Sequence, residues 1–371
     1  MATTKHAPIV EELISLIAKN NWQSKFEQAL KACHDANTIE YENIKTMEDY
    51  YEWLDNSLKW IPVENPEGTA VYNCVTTFYY LLDQSPVKEL QTPIIPSQLK
   101  GNVMPPLTPL SDWMRRYVIA FGAWMDEPGS IDEEAVKSYY NSPRYNMGDY
   151  DMPMGGWKTF NQFFARYTKP GYRPVAAIND DHVITSPADS TNDGQWEINA
   201  ESKVDIKGLE WSIEELLEGS PYKDCFDGGI FIHQFLNTTD YHREHAPVGG
   251  KVLEARLVQG VVYLGVAAEP IENDPKGRTH IVRRKLEALD EAGYQFLQMR
   301  GLVVIQSKIG KVAVLPMGMA QVSSIIVTAE EGKFLRKGEE ISYFQFGGSD
   351  IVVLFERGSN VSITAQPGVH Y

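Results

Sequence analysis

The chain has 371 residues, enough for two or three domains of ordinary size. Hydrophobic residues make up 43% and charged residues 23%, which excludes a disordered or low-complexity chain. Lys and Arg number 34 against 50 Asp and Glu, a net charge of -16. Nucleic-acid phosphates and anionic headgroups repel such a surface, so nucleic acid is not an expected partner.

The acidity is not confined to a tail. Residues 1–150 hold 12 basic and 21 acidic side chains and the remainder 22 and 29, so both halves carry solvated acidic faces. Three cysteines, Cys33, Cys74 and Cys225, at wide spacing argue against a disulfide framework and against a zinc cluster. No metal site is expected, and a reducing, cytoplasmic location fits. Residues 1–19 mix His, Lys and Glu with apolar residues and lack the apolar core of a signal peptide. The uncharged run Gly68 to Leu82 is shorter than the roughly 18–20 apolar residues of a span, so no stable membrane insertion is expected.

In chain order, Ile9, Leu13, Ile14 and Ile17 recur on one helical face, as do Phe26, Leu30 and Cys33. Further amphipathic helices are predicted over Met47 to Trp60, Val71 to Leu82 and Trp113 to Trp124. The segment Gln91 to Pro109, with five prolines, reads as an irregular connection. Asn141 to Gly156 is rich in Pro, Gly, Asn and Asp and marks the expected boundary between a helical region, 1–150, and a second domain, 151–371.

Beyond Lys158 a short helix, Thr159 to Tyr167, gives way to β-branched and aromatic runs. Strands are predicted at His182 to Ser186, Gly229 to Phe235, Lys251 to Val258, Val261 to Ala267, Leu302 to Ser307, Lys311 to Pro316, Ser323 to Val327, Ile341 to Phe346 and Ile351 to Phe355. Helices interrupt them at Trp211 to Leu217 and at Lys285 to Leu289. The whole is an α+β protein: a helical N-terminal region followed by a mostly antiparallel β domain.

Three short segments could carry chemistry. In Phe346-Gly347-Gly348-Ser349-Asp350 a serine follows paired glycines at the start of a strand apolar on both faces. Alone, this could be a hairpin turn. Asp240-Tyr241-His242-Arg243-Glu244-His245 sets two of the eight histidines three apart, on one side of a helical turn but on opposite faces of a strand. Without a third ligand the pair makes a poor metal site. Pro187-Ala188-Asp189 places a carboxylate in a turn, where Asp commonly bonds its own backbone. Together Asp189, His245 and Ser349 are the parts of a nucleophilic triad, which is recognised by roles and not by order.

These segments stand in one order with Trp157 to Pro174, a Trp-x-x-Phe-x-x-Phe-Phe stretch ending Lys-Pro-Gly-x-Arg-Pro, and with Lys337-Gly338-Glu339-Glu340. Over about residues 157–371 this set resembles the phosphatidylserine decarboxylase family of pyruvoyl enzymes. The helical leader is similar to that of the family's soluble branch, which includes aromatic amino-acid decarboxylases such as tryptophan decarboxylase. The resemblance implies that Ser349 attacks the Gly348 carbonyl, that the resulting ester eliminates, and that hydrolysis leaves a pyruvoyl cofactor on residue 349 and ammonia. The cleaved C-terminal chain would stay as a partner of the larger one. It implies that Asp189 and His245 activate the serine and that His242 serves decarboxylation, with Asp240 a rival for the orienting role. The expected activity is decarboxylation of a small, soluble, aromatic L-amino acid. Phosphatidylserine is the alternative substrate, and a non-processing scaffold on the same fold is a third reading. A lipid substrate would favour an exposed apolar helix or a basic patch, and neither is evident in the sequence. Departures from the family pattern are Gln298-Met299-Arg300 in place of Asn-Glu-Arg, Ser342 in place of a glycine, and Asp350 after the serine.

Overall fold

The computed structural model describes residues 5–94, 106–206, 208–283, 296–319 and 325–371. The amphipathic stretches of the leader form α1 (Pro8–Lys19), α2 (Gln23–Asp35), α3 (Met47–Ser57), α4 (Ala70–Leu82) and α5 (Pro109–Met125). Local chemistry starts several of them. Thr46 and Asp49 make a reciprocal capping box at α3, and Thr108 accepts from the Ser111 amide ahead of Pro109, which occupies the first turn of α5. A sixth helix, α6 (Glu133–Asn141), was not expected. Only Ala135 and Tyr139 of it are buried, too thin an apolar face to see in the pattern, and the Asp132 cap on the Ala135 amide marks its start. The helix expected from Thr159 contracts to α7 (Phe160–Phe164), capped by Thr159.

The strands are β1 (Thr191–Glu197), β2 (Lys203–Ile206), β3 (Leu209–Ser212), β4 (Ile230–Leu236), β5 (Arg243–His245), β6 (Gly250–Val258), β7 (Val266–Pro270), β8 (Thr279–Arg283), β9 (Arg300–Ser307), β10 (Gly310–Met319), β11 (Ile325–Val327), β12 (Phe334–Leu335), β13 (Glu340–Phe344) and β14 (Gly348–Phe355). One short helix, α8 (Ile213–Leu216), follows β3 where a longer helix was predicted. Residues 182–186 form no strand, and of Val261 to Ala267 only the end joins β7. The helix expected at Lys285 to Leu289 lies outside the described residues.

Seven strands form one sheet in the order β1-β4-β14-β10-β9-β6-β12, and three form a second in the order β11-β13-β5. Their ladders are antiparallel, so the α+β class holds. The small sheet lies on the large one. A Cβ added to Gly301 of β9 would come within 2.8 Å of Pro316 on β10 and 3.3 Å of Ile325 and Val327 on β11, so only glycine admits this approach.

One buried apolar cluster runs from Val10 and Phe26 in the leader to Ile351 and Val353 in β14. Phe346, just ahead of β14, is its hinge. Its ring meets Phe121 and Phe160 at 5.3 Å, Phe164 at 5.6 Å and Trp60 at 6.2 Å between centroids. Truncating a buried aromatic removes both transfer energy and packing. Phe346→Ala is expected to lower stability by about 3–5 kcal/mol. A urea midpoint equal to that of the wild type would show that this cluster does not tie the leader to the sheet.

Candidate active site

β14 runs through the interior of the seven-stranded sheet, between β4 and β10. Ser349 stands opposite Leu236 and Gly318, and Ile351 opposite Gln234 and Pro316. Because side chains alternate along a strand, Ser349 shares its face with Ile351 and Val353 and looks toward the small sheet, while Asp350 looks the other way. Ser349 is fully buried, and its Oγ has no hydrogen-bond partner. Gly347, two residues earlier, has a φ of 151°, a conformation that favours glycine.

The two histidines part company at β5. Residues 243–245 are extended, so His245 and Arg243 lie on one side of the strand and Glu244 on the other. His242 is fully buried and stacks on Phe164, with ring centroids 3.9 Å apart and planes 25° from parallel. Neither of its ring nitrogens has a hydrogen-bond partner. Burial, helped by the Arg166 guanidinium, pushes its pKa well below the usual histidine value, so the ring is neutral. Arg166 is anchored by the carbonyls of Thr239 and Asp240 and lies over the Tyr150 ring.

His245 faces a cavity of about 470 Å³ lined by Asp189, Arg173, Tyr241, Arg243 and Gly338, among others. Its Nδ1 is 2.8 Å from the Gly338 carbonyl, which can only accept, so the proton sits on Nδ1. Nε2 therefore offers its lone pair, and the Tyr241 hydroxyl donates to it at 3.0 Å. Asp189 lines the same cavity, but its carboxylate is taken by Arg173 Nε at 2.7 and 2.9 Å. No hydrogen bond joins Asp189 to His245 or His245 to Ser349. The ring is instead oriented by the Gly338 carbonyl of the Lys-Gly-Glu-Glu segment. Asp240 accepts from the Asn237 amide and lies 3.3 Å from His370 of the C-terminal tail.

Asp350 belongs to a buried network on the opposite face. His233 of β4 contacts Asp350 at 2.9 Å and Asp193 of β1 at 3.2 Å, and Arg283 of β8 reaches Asp193 at 3.3 Å. Burial alone would lower the His233 pKa, but the two carboxylates outweigh it and raise the pKa to about 9. Arg300 is also fully buried, its guanidinium bonded to the carbonyls of Glu215, Leu216 and Gln298. Among the described residues no cluster of His, Cys, Asp and Glu could hold a metal.

Sequence reasoning had missed Tyr241 as a partner of His245, Phe164 as the platform for His242, and the whole His233 network. Tyr241 and Phe164 sit inside motifs already singled out. His233 lies in the predicted strand Gly229 to Phe235, where nothing marks its partners, and Asp193 lies in β1, Thr191–Glu197, which lacks an apolar alternation.

The chain thus carries a buried serine behind a glycine turn and two histidines in separate environments, one stacked in the interior and one facing a cavity. The family model described as Phosphatidylserine decarboxylase matches residues 160–371. The chain belongs to the phosphatidylserine decarboxylase family, whose proenzymes derive a pyruvoyl group from a serine of their own chain. It is 34% identical over 244 residues to phosphatidylserine decarboxylase proenzyme 3 of Schizosaccharomyces pombe, covering 66% of this chain and 23% of that protein. It is 28% identical over 252 residues to the phosphatidylserine decarboxylase proenzyme of Fusobacterium nucleatum, covering 68% and 75%. Decarboxylase iboD of Amanita muscaria is 30% identical over 243 residues, covering 62% and 69%. The chain thus spans under a quarter of the Schizosaccharomyces protein and most of the bacterial one. None of these names supports the aromatic amino-acid branch.

The His233 network sets a pH dependence. A histidine whose folded pKa lies above its unfolded value of about 6.5 contributes stability that is complete below that pH and is lost as pH rises through about 9. His233→Gln is expected to be less stable at pH 6 and to show a flatter fall in stability between pH 6.5 and 9. Urea unfolding at fixed pH measures this, and an unchanged slope would contradict the charged assignment of His233.

Proposed function

We propose that the chain cuts itself between Gly348 and Ser349 and then decarboxylates an α-amino carboxylate. The observation that carries the reading is Ser349 itself, buried at the start of an interior strand with an unpartnered Oγ, in a chain of this family. Buried hydroxyls are normally paired, so an orphan one marks a place where chemistry is arranged. This position fits a serine-derived carbonyl, with His242 and Phe164 supported by the helix that carries the family's aromatic motif. Such a pyruvoyl group supplies a carbonyl conjugated to an amide, an electron sink for a carbon beside an amine.

The remaining work falls to side chains of the chain. In this reading the family resemblance alone makes His245 the base for the serine proton: its Nε2 accepts from the Tyr241 hydroxyl on the cavity side of β5, away from Ser349, so the ring must change position to reach it, and Asp189 shapes the charge of that cavity. His242, dry and neutral, handles the proton for decarboxylation. Its surroundings exclude water, which favours loss of a charged carboxylate as neutral CO2.

The names of the relatives support the serine headgroup of phosphatidylserine as substrate. So do exposed apolar side chains that the sequence did not reveal: Tyr167, Tyr172, Ile178 and Val183 stand one or two residues from the cavity-lining Thr168, Arg173, Ala176 and Ile184, and Met152 and Met154 are exposed on the preceding loop. These are loop residues, not the apolar helix sought in the sequence, and among the described residues no helix is long and apolar enough to cross a membrane. A second reading, a free aromatic amino acid, is favoured by the size of the cavity and by the net charge of -16, which opposes docking on an anionic bilayer.

Denaturing mass spectrometry of the purified protein should find a small chain of residues 349–371 with a blocked N-terminus; only intact polypeptide, in fresh and aged samples alike, would leave the scaffold reading. Amine formed per cleaved chain, from phosphatidylserine in mixed vesicles and from free L-amino acids, separates the substrates. Turnover on free amino acids alone would favour the second.

The histidines should separate under mutation. His245→Ala and Asp189→Asn are each expected to slow cleavage by roughly 10²-fold to 10⁴-fold. His242→Ala is expected to cleave normally and to turn over far more slowly. Normal cleavage in the first two, seen on denaturing gels over time, would reassign the activating base.

A further inference from the structure

Glu244 lies between the two histidines and is used by neither the cleavage nor the binding argument. It is fully buried. Extended geometry turns it to the same side as His242, and the Phe344 amide on the His242 carbonyl continues the β5–β13 ladder to that residue. This is the inner side. Ser342, opposite Glu244 on β13, is also paired with Val327 on β11, whose side chain meets the large sheet at Gly301. Ser349 looks into the same layer from β14.

The Ser342 hydroxyl donates to Glu244 Oε2 at 2.6 Å. This accounts for the departure noted at Ser342: the hydroxyl satisfies a buried carboxyl that a glycine could not. Glu244 Oε1 has no partner, nor do the His242 ring nitrogens or Ser349 Oγ. Two chain segments, β5 with the residue before it and β14, thus bring unpartnered polar atoms into one inter-sheet layer. Residues two apart on an extended strand lie on one face, roughly 7 Å apart along the chain.

A neutral imidazole can give up one proton to carbon only if another group refills it. We infer that Glu244 is the proton store of this layer, passing its carboxyl proton through His242 to the substrate carbon after CO2 has left. In this relay the Glu244 O–H bond breaks and an N–H bond forms on one ring nitrogen. The other ring nitrogen loses its proton to the carbon, whose electron pair becomes the new C–H bond. Glu244 is left as a carboxylate and regains a proton from water before the next turnover. The inference rests on the proposed decarboxylase activity.

The charge state agrees with the geometry. Burial dominates and pushes the Glu244 pKa up to about 8, Glu340 adds to it, and Arg243 and the Ser342 hydrogen bond oppose it. His242 is neutral, and Arg166 faces it from the end of α7.

The test is Glu244→Gln in the full chain, which keeps an acceptor for Ser342 and removes the transferable proton. It should cleave like the wild type. Turnover per cleaved chain, on phosphatidylserine vesicles and on L-tryptophan, should fall about 10²-fold, and the activity limb near pH 8 should vanish. A second readout needs no substrate. A carboxyl whose folded pKa is raised loses its stabilising contribution as pH rises from about 4.5 through about 8, so the melting temperature of the wild type should fall across that window more than that of Glu244→Gln. If Gln disrupts folding, the pair Glu244→Val with Ser342→Gly removes both partners of the hydrogen bond and should show the same slow turnover. Wild-type turnover and an unchanged pH profile in a cleaved variant overturn the proton store. A wild-type chain that never cleaves overturns the decarboxylase reading on which it stands.

Discussion

Everything at this site depends on the burial of β14 inside the large sheet. Ile351, Val352, Val353, Leu354 and Phe355 are all buried, and each large side chain removed from water contributes about 1.5–3 kcal/mol. That burial holds Ser349 in a fixed, dry position between β4 and β10. It also means that a chain cut ahead of residue 349 would keep its new end in place, since releasing the strand would expose the whole apolar run. A strand that must stay buried is what allows a backbone break to become a site.

The second constraint is the alternation of side chains along β5. His242 and His245 are three positions apart, so an extended chain sends them to opposite sides. One side is a cavity with arginines and carboxylates, where a base can exchange protons with solvent. The other is the closed layer between two sheets, where charge is costly and a proton must be carried in by a neutral group. The strand thereby gives the two histidines separate environments, one facing a cavity and one dry.

Much of this was legible in the chain. The apolar period of Ile9 to Ile17 and the β-branched run of Ile351 to Phe355 follow directly from burial, and the ordered motifs pointed to the family and to Ser349. What was hidden depends on contacts distant in sequence. His233 and Asp350 are 117 residues apart, and neither neighbourhood signals the other. The Gly338 carbonyl orients His245 through a main-chain atom, which leaves no trace in residue type. The short strand β5 was missed because Arg-Glu-His has no apolar alternation. Its extended form comes from pairing with β13, not from propensity. The exposed Met154 and Tyr172 went unnoticed for the reverse reason, since apolar residues in a sequence are read as interior until the fold turns them outward.

A crystal structure of the purified, aged protein tests the central claim most directly. The account predicts a chain break between residues 348 and 349, with β14 still paired to β4 and β10 and a group other than serine at its start. Continuous density through Gly348 and an intact Ser349 side chain would contradict it.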